Sequence, residues 1–348
     1  MKPTRRALLS AGGASALALS LAACSKSQPK TAQTQASGTP IAEPVLNDKQ
    51  LSEILQRVQT GLAAADKEKN ADKLKEVMTV PAARIRAAEY ATASASGNND
   101  FIHPMTTTIQ GGGVGQTVGF PRNAAAASEG ASPSLISLEQ HSARDPFKVW
   151  AWVQGFAAQA SIPVLTKQSA RRAKQVTADS TGLVSTPKAA LDAYVDALNH
   201  PEGENGKAFP DDNLRQKVQS ARTTDLRSLG EVTVTATAGK DGFQGLQLED
   251  GDGGALVFTT LTYTVVYKRT VDGSDLTLQG DVAAHMGGNQ KIVGTVTATY
   301  DSMVAFSIPK EGSKDKVAVL GAETALMKVD RDDSKTPAPT ASATAKPS

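Results

Sequence analysis

One cysteine, Cys24, is all the thiol chemistry available to this chain of 348 residues. A lone thiol excludes an internal disulfide framework and a multi-thiolate zinc site. Aromatic side chains are scarce, at 4%. With 40% hydrophobic residues overall, core packing must fall mainly to Val, Leu, Ile and Ala. Charge of one sign is also missing. The excess of +2 includes Lys2, Arg5 and Arg6, and without them the remaining 34 basic residues face 35 acidic ones. A near-neutral body lacks the concentrated basic surface that nucleic acid requires. Beyond the first 23 residues no run of 18 apolar residues occurs, so no membrane-spanning helix is expected.

What is present begins at the amino terminus. Basic residues Lys2, Arg5 and Arg6 precede the apolar run Ala14 to Leu21, followed by the small residues Ala22 and Ala23. This three-part pattern reads as an export signal over residues 1–23, too short to span a bilayer. Leu21-Ala22-Ala23-Cys24 resembles the lipobox of bacterial lipoproteins. The resemblance implies cleavage between Ala23 and Cys24 and diacylglyceryl transfer to the Cys24 thiol. Two acyl chains hold a protein on a membrane where one is marginal, each buried CH₂ contributing about 0.8 kcal/mol. Thr4-Arg5-Arg6-Ala7-Leu8-Leu9 also resembles a twin-arginine signal, leaving that route and the general one open. The expected location is the extracytoplasmic face of the cell membrane.

Residues 24–45 are rich in Pro, Ser, Thr and Gln without periodicity and read as a flexible tether. Residues 332–348 form a Thr/Pro/Ala tail with no reason to fold, of a composition that suits O-glycosylation. Between them the chain divides into a first domain over 46–163, a linker over 164–185 and a second domain over 186–331. Leu51, Ile54, Leu55, Val58 and Leu62 form one helical stripe, with Asn47 and Gln50 suited to start it. Asn70 opens a short helix, and Pro81 suits the first turn of another running to about Ser94. Strands are predicted at 105–110, 115–120, 134–141 and 147–156. Gly111-Gly112-Gly113 is read as a hairpin turn and 122–133 as a mobile loop. In the second half, Thr186-Pro187 and Asp212 open helices. Strands follow at about 230–238, 243–249, 254–269, 275–286, 290–308 and 316–329. Over 254–269, Val257, Leu261, Tyr263, Val265 and Tyr267 share one face, and Thr260, Thr262, Thr264 and Lys268 the other. The fold class expected is α+β: two tandem helix-then-antiparallel-sheet domains, resembling cone-shaped folds of the nuclear-transport-factor-2 type.

Three segments carry a family resemblance. They are Ala87-Ala88-Glu89-Tyr90, the stretch Ala143-Arg144-Asp145-Pro146-Phe147-Lys148-Val149-Trp150-Ala151-Trp152-Val153, and Gly182-Leu183-Val184-Ser185-Thr186-Pro187 leading into Ala190-Leu191-Asp192-Ala193-Tyr194. They resemble an uncharacterised family of actinobacterial membrane lipoproteins, a domain of unknown function. The resemblance implies a surface lipoprotein and brings no active site with it.

Candidate chemistry in the linear sequence is sparse. Trp150 and Trp152 share a strand face opposite Val149, Ala151 and Val153. A strand apolar on both faces is normally core, and the alternative is a ligand-binding or interdomain surface. Asp281 and His285 lie on one face of a predicted strand, about 13 Å apart, too far for an acid–base pair. His103, His141 and His200 lack metal-ligand spacing and read as ordinary surface histidines. Gly111 to Gly115 lacks the ending of a phosphate loop, and Glu249 to Gly253 lacks the pattern of a calcium loop. No catalytic residue, metal or cofactor is assigned. The expectation is a non-enzymatic, membrane-anchored binding module whose partner is an envelope protein or an apolar ligand. The alternatives are a carrier of an apolar molecule or lipid, and an enzyme, each using a cone-fold cavity.

Overall fold

The computed structural model describes residues 44–337 apart from 118, 130–132, 157–172, 249–252 and 288. Helix α1 (Asp48–Glu68) starts where the sequence asks it to. The Asn47 side chain accepts from Gln50 N, and the Gln50 side chain accepts from Asn47 N, both at 2.9 Å. This reciprocal cap satisfies two amides that would otherwise lack partners. Leu51, Leu55, Val58, Leu62 and Ala65 form its buried stripe. Asn70 caps α2 (Ala71–Leu74), and α3 (Ala82–Ser96) follows Pro81 and ends at Gly97, where φ is +69°. Strands β1 (Ile109–Val114), β2 (Arg122–Ser128), β3 (Ser134–Gln140), β4 (Lys148–Gly155) and β5 (Ala173–Gln175) come next. Then come α4 (Pro187–Asn199), capped by Thr186, α5 (Glu204–Ala208), and α6 (Asn213–Arg222), capped by Asp212. The chain finishes with β6 (Gly230–Ala238), β7 (Gln244–Leu248), β8 (Gly254–Arg269), α7 (Gly280–His285), β9 (Thr295–Ile308) and β10 (Ala318–Asp332).

These strands do not build two cone-shaped sheets. They form one antiparallel sheet in the order β1-β2-β3-β4-β10-β9-β8-β7-β5, with β6 paired to β8. Its two ends curl toward each other, and Gln116 N, just past β1, donates to the Ala173 carbonyl of β5 at 2.9 Å. The result is a nearly closed, barrel-like sheet, and the expectation of tandem nuclear-transport-factor-2-like domains is corrected. The reason lies in β8 and β9, which are buried on both faces where they cross the middle of the molecule. Leu256, Phe258, Met303 and Ala305 join a core with α1, α2, α3 and β1 to β4. Ala255, Val257, Val304 and Phe306 join a second core with α4 and α6. One wall thus serves two cores. Farther along β8 the predicted alternation holds: Leu261, Tyr263, Val265 and Tyr267 are buried, whereas Lys268 is exposed.

Local expectations also change, beginning with 115–120, whose described residues hold no strand and only an isolated bridge at Gln116. Gly111 to Gly113 lie inside β1, not in a turn. A Cβ on Gly112 would come within 2.5 Å of Leu51 Cδ2, so the bare backbone lets α1 lie against the strand. The supposed loop 122–133 contains β2, where the small side chains of Ala124 to Ala127 are all buried. Residues 280–285 form α7 in place of a strand, between Gly280 (φ +74°) and Gly287 (φ +64°). These positive φ values break an extended run at both ends.

A short seam joins the two halves of the sheet. Among the described residues, β4 pairs with β10 through Gly155 with Gly321 and Gln154 with Ala322, and Phe156 N donates to the Leu320 carbonyl at 2.8 Å. A Cβ on Gly321 would lie 2.4 Å from the Gln154 carbonyl, so the close approach depends on glycine.

Candidate functional site

Beside that seam the sheet opens into a cleft of about 550 Å³. Gln154 and Phe156 at the end of β4 form one wall, Glu323 and Thr324 of β10 another, and Lys217 of α6 a third, with His103 at the edge. Beneath His103 and Glu323 lies the most concentrated set of buried charges among the described residues.

Helix α3 supplies its centre. Ile85, Ala88, Thr92 and Ala93 mark the buried face of this helix, and Arg86 and Glu89 are buried with them, at 1% and 2% exposure. Arg86 is held like a plug in a socket. Its Nε and Nη2 reach the two carboxylate oxygens of Asp66 on α1 at 3.0 and 2.9 Å, and Nη1 reaches Glu89 Oε2 at 2.7 Å. Nη1 also donates to the His103 carbonyl. The guanidinium carbon lies 5.4 Å from the centre of the Trp152 ring, within cation–π range. Tyr90 completes the socket by donating to Asp66 Oδ1 at 2.6 Å. Burial and the Asp66 carboxylate keep the Tyr90 phenol firmly protonated.

On the cleft side, His103 Nδ1 lies 2.5 Å from Glu323 Oε1 and 3.3 Å from Glu89 Oε1. Glu89 Oε1 nevertheless has no hydrogen-bond partner, because that second contact lacks hydrogen-bond alignment. Glu323 Oε1 also accepts from Thr324 N at 3.1 Å. The hydrogen bond to Glu323 first, and the nearby Glu89 carboxylate second, push His103 up to about 10. Burial pushes the Glu89 carboxyl above its ordinary value and the Glu323 charge adds to this, against the pull of His103 and Arg86. The arrangement can share a proton, or hold a cation, between an imidazole and two carboxylates.

The residues singled out from sequence fall in separate places. Ala23 and Cys24 lie outside the described residues. Trp150 and Trp152 are both buried in the first core, and Trp152 forms the floor under Arg86. Asp281 and His285 stand one turn apart on α7. There Asp281 accepts from the Tyr300 hydroxyl at 3.1 Å, and His285 Nε2 lies 2.8 Å from Thr92 Oγ1. His141 lies 2.9 Å from Glu139, and His200 2.8 Å from Asp196; both histidines are exposed. Only His103 enters the charged cluster. Asp66, Arg86, Glu89 and Glu323 were not singled out for their chemistry. The signal that could have found two of them is their place on α3, where an arginine and a glutamate interrupt a face of Ile, Ala and Thr. Glu89 and Tyr90 also end one of the segments that carry the family resemblance, and Trp152 belongs to another.

A family model described as "Domain of unknown function (DUF8094)" matches residues 42–331. No curated protein matches the chain, and no solved structure does.

Proposed function

Because the chain belongs to this family of undefined function, we propose a role from its own leader and cleft: a lipid-anchored, extracytoplasmic protein that binds a polar ligand without transforming it. The anchor part is supported by the signal pattern over residues 1–23 and by the lipobox resemblance ending at Cys24. Together with the three family-like segments, these favour a surface lipoprotein of actinobacterial type. The binding part rests on the cleft of about 550 Å³ between β4, β10 and α6, which is within the size range of small-molecule sites. Its lining of Gln154, Lys217, Thr324, Glu323 and His103 suits a polar guest. An apolar one would strip water from the Lys217 ammonium and the Gln154 amide without replacing it, at a cost of about 1–3 kcal/mol each. The carrier of an apolar molecule loses its cone-shaped cavity with the correction to the fold.

Two measurements test this reading. Detergent-phase partitioning should place the full-length protein in the detergent phase and Cys24→Ala in the aqueous phase. Equal membrane retention of Cys24→Ala removes the anchor. A thermal-shift screen of small polar anions and sugars should find compounds that raise the melting temperature of the parent protein but not of Lys217→Glu. Stabilisation that survives Lys217→Glu removes the cleft as the site.

A further inference from the structure

We propose that Glu89, His103 and Glu323 form a binding site for one divalent transition metal, of the zinc class, at the floor of the cleft. One ligand atom from each of the three side chains lies within 4.8 Å of the others. Two of the separations, 2.5 and 3.3 Å, both involve His103 Nδ1. A tetrahedral zinc bound at about 2.0–2.2 Å sets its donor atoms about 3.4 Å apart, so changes in separation of no more than about 1.4 Å close the site. The donors come from α3, the segment after it, and β10, so the fold brings them together and no linear motif announces them.

Charge and unmet valence both call for a cation. Asp66, Glu89 and Glu323 contribute three carboxylates; the Nε–Nη2 edge of Arg86 engages Asp66, and Nη1 engages Glu89. With Glu89 ionised and His103 neutral, the forms in which they would bind a metal, three carboxylates face one guanidinium, and a dication balances the resulting net charge of −2 in place of the protons. Glu89 Oε1 is buried without a hydrogen-bond partner and lies on the His103 side of its carboxyl group. Such an orphaned oxygen costs about 1–3 kcal/mol unless something occupies its lone pairs. Arg86 bonds the other Glu89 oxygen and the His103 backbone carbonyl, fixing two of the three donors from behind. Outer-shell partners of this kind orient metal ligands.

One imidazole with two carboxylates suits zinc better than calcium or magnesium, which prefer oxygen alone. Three protein donors leave a fourth position, and His103 and Glu323 line the cleft that leads to it. The metal would then meet an anionic or carbonyl-bearing ligand directly. This deepens the cleft reading and rests on it only for that fourth position, since zinc binding is measured with no other ligand present.

The test is calorimetric titration of chelator-treated, full-length mature protein with Zn²⁺ alone, followed by X-ray absorption of the one-to-one complex. The expected result is one equivalent per chain in a shell of nitrogen and oxygen that includes one imidazole and no sulfur. His103→Gln and Glu323→Gln should each weaken binding by at least about tenfold, the lower end of what even an outer-shell change costs. Circular dichroism should show both variants folded, and His141→Ala should bind as the parent does. Glu89→Gln serves as a further variant, because an amide can retain the Arg86 contact. No binding by the parent at 100 µM (about the weakest affinity of interest) overturns the proposal. So does binding that persists in both His103→Gln and Glu323→Gln, or that is lost in His141→Ala. A metal-free protein that still passes the Lys217→Glu ligand test would leave the cleft standing, and the converse result would leave the metal standing.

Discussion

Arg86 shows how a single residue can be indispensable without touching solvent. Its charge is compensated by Asp66 and Glu89, and its flat face lies over Trp152. Removing one partner of a buried ion pair strands the other charge and typically costs about 3–5 kcal/mol. Arg86→Leu should therefore lower stability by about that amount in urea unfolding, whereas Arg86→Lys should lower it less, keeping the charge but losing the fork. A loss below about 1 kcal/mol for Arg86→Leu would show that the socket is not a stabilising element. A second, more exposed pair sets an acid limit. Arg84 reaches the two Asp241 oxygens at 2.9 and 2.8 Å and Asp301 at 3.0 Å. The Arg84 hydrogen bonds hold Asp241 below its ordinary value of 3.8. A depressed carboxylate contributes stability that is present above its unfolded pKa and lost as the pH falls through the folded one. The gap in urea midpoint between the parent and Arg84→Gln should thus be open at neutral pH and narrow as the pH falls below the ordinary Asp241 value of 3.8. A gap independent of pH would assign the Arg84 contribution to packing.

At the level of elements, the glycines of β1 and β10 should respond differently to the same added methyl group. At Gly321 the new Cβ would meet the Gln154 carbonyl, which is backbone, at 2.4 Å. At Gly112 it would meet the end of the Leu51 side chain at 2.5 Å. Leu51 can turn away and the backbone cannot. Gly321→Ala should therefore cost about 1–3 kcal/mol, and Gly112→Ala less. Equal losses would mean that the seam between β4 and β10 yields as easily as a side chain. Most elements were readable because their signals are local. The Asn47, Asn70, Thr186 and Asp212 caps all stand where the sequence puts them. The ends of β8 are those expected from its long alternation. Misreadings fell where glycine and alanine speak ambiguously. Gly111 to Gly113 has turn composition but serves as a strand, because α1 needs the space. Ala124 to Ala127 gives no periodic signal but packs under its neighbours.

For the whole molecule, the shared wall of β8 and β9 predicts one unfolding transition. Leu55 lies in the first core and Leu191 in the second. Leu55→Ala and Leu191→Ala should each cost about 2–5 kcal/mol and lower the same calorimetric peak. Two peaks, each moved by only one variant, would show that the cores melt separately. Here the sequence was least legible. Element order does repeat along the chain, but which strand pairs with which depends on contacts between distant segments, such as Gln154 with Ala322, and no local pattern encodes them. The charged cluster was hidden for the same reason. Glu89, His103 and Glu323 converge only after the sheet has curled, and only Glu89 betrays itself beforehand, as a carboxylate on a buried helical face.

The double duty of β8 also makes its reading frame critical. Neighbouring side chains at Ala255, Leu256, Val257 and Phe258 point alternately to opposite interiors. Inserting one residue ahead of them would exchange the contents of both, driving Phe258 into the place of Thr259 on one side and leaving Val257 to fill the space of Phe258 on the other. Few single lesions in this chain could spoil two interiors at once.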